Sequence, residues 1–294
     1  MTTPPASDPI DIGRALVNSS SQRGDPGGIE AAVSTAIDAG GNVVVITGAG
    51  VSVPSGLRPY RGKGGRWTEE GMSAMSMATA SYFFANQEQG WAWNLVRRTE
   101  VMRAEPNDAH HAIVELDRIL GDRFVLVTQN VDRLHLRAGS SPERTVEIHG
   151  YLEGMRCTGR CHGVIPVPDE FDGWSPDDEL TSDHLGLLTC PVCGLPTRPH
   201  VLMFDEMYDE ENYGVDTARR AVTGASLCIT VGTSGGVPVA ERLAEIALTA
   251  GATHVDINPD NNSLRRFAFR VGGYAITRDA ASGLSTIVDV ARRS

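Results

Sequence analysis

The stretch at residues 42–56 reads NVVVITGAGVSVPSG. A near-continuous β-branched run, as at residues 42–47, is typical of a strand in a sheet that helices cover on both faces. Small residues follow at 48–52, where backbone N–H groups could approach a phosphate and a following helix could add its dipole. The stretch predicts a buried parallel strand that leads into a candidate nucleotide-binding loop.

This loop departs from the six-residue dinucleotide-binding fingerprint. Its first two glycines are Gly48 and Gly50, but the third glycine position is Val53. No acidic residue closes a second strand about 20 residues later, as that fingerprint requires. The loop therefore disfavours a plain Rossmann dehydrogenase, while a nucleotide ligand stays open.

The alternation of strands and helices continues along the chain. Apolar runs predict strands at residues 42–47, 124–128, 146–149, 227–231, 254–257 and 274–276. Apolar residues at three- and four-residue spacing predict helices at residues 29–39, 109–120, 238–250 and 284–292. Such alternation favours an α/β fold with an open parallel sheet.

Two stretches interrupt the alternation. Residues 62–104 contain Trp and Met residues without a strand pattern, which predicts a helical insertion. Residues 151–199 hold four cysteines around a Pro/Asp/Gly-rich middle, which predicts a small metal-binding domain. Residues 1–26 are rich in Ser, Pro and Gly, and we expect a loosely ordered lead-in there. The segments that would build the α/β domain are residues 27–61, 105–150 and 200–294.

Small or polar residues come directly after five of the predicted strands. In open α/β sheets, ligands bind outside the carboxyl ends of the strands, so these clusters should converge on one crevice. Turn chemistry explains any single cluster equally well, since turns need Gly, Asn, Asp and Ser, but it does not explain all five. The clusters are residues 48–52, 129–132, 149–150, 232–234 and 258–260.

The cysteines predict a zinc site. Four of the five form two close pairs, Cys157 with Cys161 and Cys190 with Cys193, and 28 residues separate the inner two. Four thiolates at such spacing are typical of a tetrahedral, structural zinc ion with no open position for water. Cys228 lies within a predicted strand, where it should act as a small buried hydrophobe.

Charge and hydropathy exclude several classes of protein. The 26 Lys and Arg residues against 37 Asp and Glu residues give a net charge of −11. This balance argues against a bulk nucleic-acid binder and against binding to an anionic membrane surface, but not against a basic protein substrate. We expect no membrane span, because no apolar run approaches ~18 residues. The start MTTPPASDPI lacks a secretory signal pattern, so we expect a cytoplasmic protein.

Together these motifs resemble the sirtuins, the NAD-dependent protein-lysine deacylases. The resemblance implies a Rossmann-like domain, a smaller zinc and helical part, and a cleft that binds NAD and an acyl-lysine side chain of a protein or peptide. It implies transfer of the acyl group, most simply acetyl, to the ADP-ribose of NAD with release of nicotinamide. The motifs are GAGVSVPSGLRPYRG (48–62), PNDAHHAI (106–113), TQNVDRLH (128–135), EIHG (147–150), RPHVLMF (198–204), GTS (232–234), IN (257–258) and the four cysteines.

The resemblance also implies roles for single residues. His149 would be the general base, which suits an imidazole whose ordinary pKa is about 6.5. Asn130 and Asp132 would position ribose, water and the NAD loop, with Gln129 also on the ribose, although Asp132 could instead be a helix N-cap. Arg61 would close over the cofactor, unless it is a solvated charge. The residues that would line NAD are Gly48, Ala49, Gly50, Ser52, Tyr60, Arg61, Gln129, Asn130, Asp132, Gly232, Thr233, Ser234 and Asn258.

By the same resemblance, a substrate peptide would add as a strand between two loops. Both loops depart from the family pattern, with Asp205 in place of a usual Gly and with Gly235-Gly236 after GTS. Sirtuins that prefer acidic acyl groups carry a Tyr and an Arg three residues apart; here Asn94 and Arg97 stand at those positions, and Arg97 could bind a carboxylate. We slightly favour the alternative, a solvated helix end at Arg97 and Arg98. The candidate substrate-binding residues are Val201, Phe204, Val237 and Arg97.

One departure leaves other functions open. Pro59 replaces the Asp that contacts the nicotinamide amide in the family, and proline offers neither a side-chain hydrogen bond nor an N–H. A sirtuin-type mono-ADP-ribosyltransferase or NAD hydrolase is therefore an alternative, and a non-catalytic NAD-sensing protein is a second. The sequence leaves the acyl group, the target protein and the oligomeric state open.

Overall fold

The computed structural model describes residues 26–59, 65 and 76–294. The strands in this part of the chain are β1 (Asn42–Thr47), β2 (Phe124–Thr128), β3 (Thr145–Glu147), β4 (Gly150–Cys157), β5 (Ile165–Pro166), β6 (Thr197–Val201), β7 (Ala225–Val231), β8 (Thr253–Ile257) and β9 (Tyr274–Ile276).

The α-helices described in full alternate with these strands. They are α1 (Pro26–Asp38), α2 (Ala80–Ala85), α3 (Gln87–Arg103), α4 (Asp108–Leu120), α5 (Leu134–Ala138), α6 (Ser182–Leu187), α7 (Glu210–Tyr213), α8 (Val215–Thr223), α9 (Pro238–Thr249), α10 (Ser263–Arg270) and α11 (Ala280–Ala291). None of them is both long and apolar enough to cross a membrane.

The main sheet is parallel and has six strands in the order β3-β2-β1-β7-β8-β9. This confirms the parallel α/β fold predicted from the sequence. The strand order reverses between β1 and β7, and in open α/β sheets this switch point is where ligands bind. The predicted third strand is shorter than expected, since β3 ends at Glu147 and leaves His149 beyond the strand.

The β-branched runs are explained by burial on both faces of this sheet. Val43 and Val45 pack on one face with apolar residues of α1, α4 and α11. Val44 and Ile46 face the opposite side and pack with α8 and α9. Because every side chain of the central strand meets a covered face, the strand reads as a continuous apolar run rather than an alternating one.

The two stretches that the sequence predicts as insertions share a core. Strand β4 pairs antiparallel with β5 and β6 in a separate three-stranded sheet that includes Cys157. Helix α3 packs on this sheet, where the indole N–H of Trp91 donates to the Thr197 carbonyl over 3.2 Å. Phe83 and Trp91 belong to the same buried cluster as Met155. The helical stretch and the cysteine stretch, read from the sequence as two insertions, therefore stabilise each other.

Candidate functional site

Two loops that follow neighbouring strands meet backbone to backbone at the switch point. The Gly50 N–H donates to the Gly232 carbonyl oxygen over 2.8 Å. A Cβ atom added at Gly50 would lie 2.7 Å from that oxygen, and one at Gly48 would lie 2.8 Å from Thr233 Cα. Only glycine fits such close approaches. These glycines therefore let the loops after β1 and β7 close into one surface.

Two further loops join this surface. The Gln129 side-chain amide, after β2, donates to the Thr233 hydroxyl over 3.2 Å. The Asn258 amide, after β8, donates to the Thr233 carbonyl over 2.9 Å. Ser234, from the same predicted set, is exposed at the rim. Four of the polar clusters predicted from the sequence therefore converge on one crevice.

Three buried polar side chains form a network beside the glycine loop. The Ser52 hydroxyl donates to Asp132 Oδ2 over 2.7 Å and accepts from Asn130 Nδ2 over 3.1 Å. Asp132 Oδ1 accepts the Leu134 N–H at the start of α5 over 3.0 Å. Burial raises the pKa of Asp132, and the bonds from Leu134 and Ser52 oppose that rise. Asp132 therefore bonds the first residue of α5 without being its N-cap, which is Arg133, and it also lines the cavity at the crevice.

Removing the Ser52 hydroxyl should weaken both folding and the crevice. Ser52→Ala leaves a buried Asp132 oxygen and the Asn130 amide without their shared partner, at a cost of about 1–3 kcal/mol per group. We expect the free energy of unfolding in urea to fall by at least about 2 kcal/mol. Ser285→Ala removes an exposed hydroxyl on α11 and should leave it within about 0.5 kcal/mol. Equal stability of the two variants would contradict the network.

The hydrogen bonds of His149 define its tautomer. His149 Nδ1 lies 2.9 Å from the Gln129 carbonyl oxygen. Because a carbonyl only accepts, Nδ1 carries the proton and the lone pair of the neutral ring is on Nε2. Burial lowers the pKa of His149 to about 4, so the ring is neutral near pH 7. The side chain is still partly exposed, so Nε2 is placed as a proton acceptor at the crevice.

The sequence did not reveal the partner of that nitrogen. The Tyr208 hydroxyl lies 3.0 Å from His149 Nε2, and the two residues are 59 positions apart in the chain. Tyr208 closely follows Phe204-Asp205-Glu206, a segment that departs from the family pattern. That departure was the only feature of the sequence that pointed to this region. No spacing rule connects Tyr208 to His149.

A cavity beside Asn130 and Asp132 is also lined by Arg97. Arg97 and Arg98 are 6% and 4% exposed, so their interpretation as a solvated helix end is wrong. Both lie inside the 17-residue helix α3, whose packing on the second sheet covers them. Arg97 Nη1 donates to Asn94 Oδ1 over 3.4 Å, and Arg98 pairs with Asp172 at 2.7 Å.

The other predicted substrate residues lie around this region. Val201 ends β6, Phe204 is exposed beyond it, and Val237 precedes the first residue of α9. Asp205 accepts the N–H groups of Ala80 and Ser81 over 2.6 and 3.0 Å, which ties the loop after β6 to the start of α2. Two predicted cofactor residues, Tyr60 and Arg61, lie outside the described residues.

The four paired cysteines come together as predicted. Their sulfur atoms all lie within 4.8 Å of one another, and Cys161 Sγ is 3.3 Å from Cys190 Sγ and 3.5 Å from Cys193 Sγ. A tetrahedral zinc ion with bonds of about 2.3 Å separates its sulfur ligands by about 3.8 Å. This cluster therefore fits a zinc ion. Cys228 is fully buried in β7, which confirms the prediction for it.

Backbone donors complete the sulfur cluster. The Gly159 N–H donates to Cys157 Sγ over 3.2 Å, and the Val192 N–H donates to Cys190 Sγ over 3.4 Å. Such bonds stabilise the thiolate form that a metal requires. His162, not singled out from the sequence, places Nε2 3.2 Å from Cys190 Sγ.

Comparison with known proteins agrees with this architecture. The model of the Sir2 family matches residues 48–239. Proteins named NAD-dependent protein deacylase from Thermus thermophilus and Methylococcus capsulatus are 38% and 35% identical over 77% and 86% of this chain, and over 82% and 93% of their own lengths.

Solved structures agree as well. A Sir2 homologue in complex with NAD is 32% identical, covers 90% of this chain and 94% of its own, and superposes with a TM-score of 0.73. A mutant Sir2 homologue in complex with 2′-O-acetyl ADP-ribose is 32% identical, covers 89% of this chain and 95% of its own, and has a TM-score of 0.72. With the crevice at the sheet's switch point, these matches show that the chain belongs to the Sir2 family.

Proposed function

We propose that the protein is an NAD-dependent protein-lysine deacylase, and foremost a deacetylase. It would transfer the acyl group to the ADP-ribose of NAD with release of nicotinamide. The observation that carries this proposal is the neutral His149 with its Nε2 lone pair at the crevice, fixed by the Gln129 carbonyl. Similarity to the named deacylases supports the same activity.

The crevice fits NAD as a bound nucleotide. The loops after β1 and β7 approach each other so closely that a Cβ at Gly48 or Gly50 would clash with the other loop. A glycine-rich loop at the end of a parallel strand is a common site for the phosphates of a nucleotide. Bound there, NAD supplies the ribose that receives the acyl group and the nicotinamide that leaves. The residues that would hold it are Gly48, Ala49, Gly50, Ser52, Tyr60, Arg61, Gln129, Asn130, Asp132, Gly232, Thr233, Ser234 and Asn258.

Within this proposal His149 is the general base. Its Nε2 takes a proton from a substrate hydroxyl, while the Nδ1–H stays on the Gln129 carbonyl and stabilises the charged ring that results. Asn130 and Asp132 act beside it through their shared bonds to Ser52, which keep both side chains in one orientation.

The pH dependence of kcat/KM follows from the burial of His149. Since its pKa is lowered to about 4, we expect kcat/KM to stay flat from pH 7 down to about pH 5 and to fall below that. A fall centred on the ordinary histidine value of about 6.5 would contradict the lowering of the His149 pKa by burial.

The folded fraction must be measured at each pH as a control. His110, His200 and His254 are also buried with pKa values of about 4. Between about pH 6.5 and pH 4 the unfolded chain binds more protons than the folded one, so stability declines as the pH falls. Circular dichroism at each pH separates this loss of fold from titration of His149.

The substrate region supports an acyl-lysine side chain of a protein or peptide. Phe204 is 46% exposed on the loop beside His149, and Leu202 in that loop bonds to the His149 carbonyl over 2.9 Å. We propose that Val201, Phe204 and Val237 contact the peptide and that Arg97 contacts the acyl group from its cavity. A panel of acetyl-, succinyl- and long-chain-acyl-lysine peptides with NAD tests both the activity and the acyl preference.

Pro59 favours a second candidate, a mono-ADP-ribosyltransferase or NAD hydrolase. It replaces a carboxylate that the family resemblance places on the nicotinamide amide, so substrate-independent loss of nicotinamide is the activity to test. Incubation with NAD, with and without acetyl-lysine peptide, separates the two functions. Nicotinamide release at the same rate without peptide would overturn deacylation.

We further propose a division of the chain and a location for it. The α/β domain would comprise residues 27–61, 105–150 and 200–294, with residues 62–104 as helical insertion and 151–199 as zinc-binding domain. The zinc ion would be structural, since four thiolates leave no open position. A reduced four-cysteine site suits the cytoplasm, where thiols persist.

A further inference from the structure

His149 Nε2, the proposed proton acceptor, already accepts a hydrogen bond from another side chain of the protein. The Tyr208 hydroxyl lies 3.0 Å from Nε2, while Nδ1 is engaged with Gln129. Since the neutral ring has no proton on Nε2, the phenol must donate and the imidazole must accept. Burial raises the pKa of Tyr208 to about 12, so the phenol keeps the proton it donates near neutral pH.

The chain on both sides of Tyr208 is anchored. Glu206 Oε2 accepts from Arg198 Nη2 over 2.7 Å and from the Met203 N–H over 2.9 Å. Asp209, the next residue after Tyr208, accepts the Asn212 N–H over 2.7 Å and caps α7. The tyrosine backbone is therefore held between two fixed points, and its ring lies 5.9 Å from that of His149. Rotation of the side chain would move its hydroxyl away from Nε2 without a change at these anchors.

An imidazole nitrogen has a single lone pair, so it accepts one strong hydrogen bond at a time. A hydroxyl that gives its proton to His149 Nε2 must take the place of Tyr208. We propose that Tyr208 caps the general base: its hydroxyl donates to Nε2 in the protein without substrate and is displaced by the substrate hydroxyl. The last step rests on the proposed function.

The cap is tested first without any cofactor. Diethylpyrocarbonate carbethoxylates an imidazole when the free lone pair of one ring nitrogen attacks a carbonyl carbon of the reagent. Ethyl carbonate leaves, and the proton on the other ring nitrogen is lost to solvent. At pH 7 His149 is neutral. The rate at which the reagent modifies His149 therefore reports how accessible the Nε2 lone pair is, and not the protonation state of the ring. In Tyr208→Phe the donor is gone, and we expect the rate at His149 to rise roughly two- to tenfold, the equivalent of one neutral hydrogen bond.

Peptide mass spectrometry assigns the label to single histidines. His111 is exposed on α4 and serves as the internal standard in each digest. Tyr213→Phe is the matched control, because the Tyr213 hydroxyl accepts from Arg156 over 2.8 Å and does not contact His149. Tyr208→Met lacks both the ring and the hydroxyl donor, and it serves as a second test if Tyr208→Phe fails to fold. An unchanged His149 rate in folded Tyr208→Phe and Tyr208→Met overturns the cap.

Turnover tests the displacement. If the phenol competes with the substrate hydroxyl, Tyr208→Phe should raise kcat/KM for NAD roughly two- to tenfold. A lower kcat at unchanged KM would mean that the phenol is needed during the reaction, and it overturns displacement. Absence of deacylation by the unaltered protein would refute the proposed function, and the cofactor-free labelling rate would still decide whether Tyr208 caps His149.

Discussion

Replacing His149 with alanine is expected to lower NAD-dependent deacylation by about 100- to 10,000-fold, the usual contribution of a positioned general base. The substitution removes Nε2, the proton acceptor that the Gln129 carbonyl orients. It leaves the glycine loops and the Ser52 network untouched, so the crevice itself should persist. Nicotinamide release and deacylated peptide, both measured by chromatography, give the rate.

The control for this variant is another histidine. His111 is exposed on α4, so His111→Ala should keep the activity of the unaltered protein. Binding of ADP-ribose, followed by calorimetry, should survive in His149→Ala if only the base is lost. Turnover of His149→Ala equal to that of His111→Ala would refute His149 as the base.

Replacing Cys190 with serine is expected to reduce the zinc content from about one ion per chain to a small fraction. A serine hydroxyl is a poor replacement for a thiolate, and metal binding contributes about 10–16 kcal/mol in small zinc domains. Loss of the metal should also disturb the cavity. The segment that holds Cys190 shares a buried core with α3, and α3 places Arg97 at the cavity. We therefore expect a lower Tm and a loss of deacylation together with the loss of zinc.

The fifth cysteine provides the matched control. Cys228 lies in β7, outside the sulfur cluster. Cys228→Ala should keep about one zinc ion per chain, and it should lose stability only through a small cavity. Metal analysis of the purified, folded variants measures the difference. Full zinc content in Cys190→Ser would exclude four-thiolate binding.

The residues around His149 show how far sequence reasoning reached. The convergence of the polar loops and the cysteine cluster were both predicted, because each depends on residue types at short, fixed spacing. The role of His149 as the base came from the family resemblance and stays a prediction. Tyr208 was missed, since its contact joins residues 59 positions apart and only the anchored loop after β6 places it there. Arg97 was placed on a candidate site, but its burial was misjudged because α3 was considered without the sheet that covers it.

The sequence by itself determined the parallel sheet and the metal site. Strand β1 is apolar on both faces, and the cysteines pair at metal-binding spacing; both are local patterns that leave few alternatives. Only the tertiary structure decided which side chains meet across the crevice and which charges are covered. Those contacts depend on how separate elements pack, and packing is a property of segments distant in the chain. The tautomer of His149, set by Gln129 on one side and Tyr208 on the other, is therefore visible only in the folded protein.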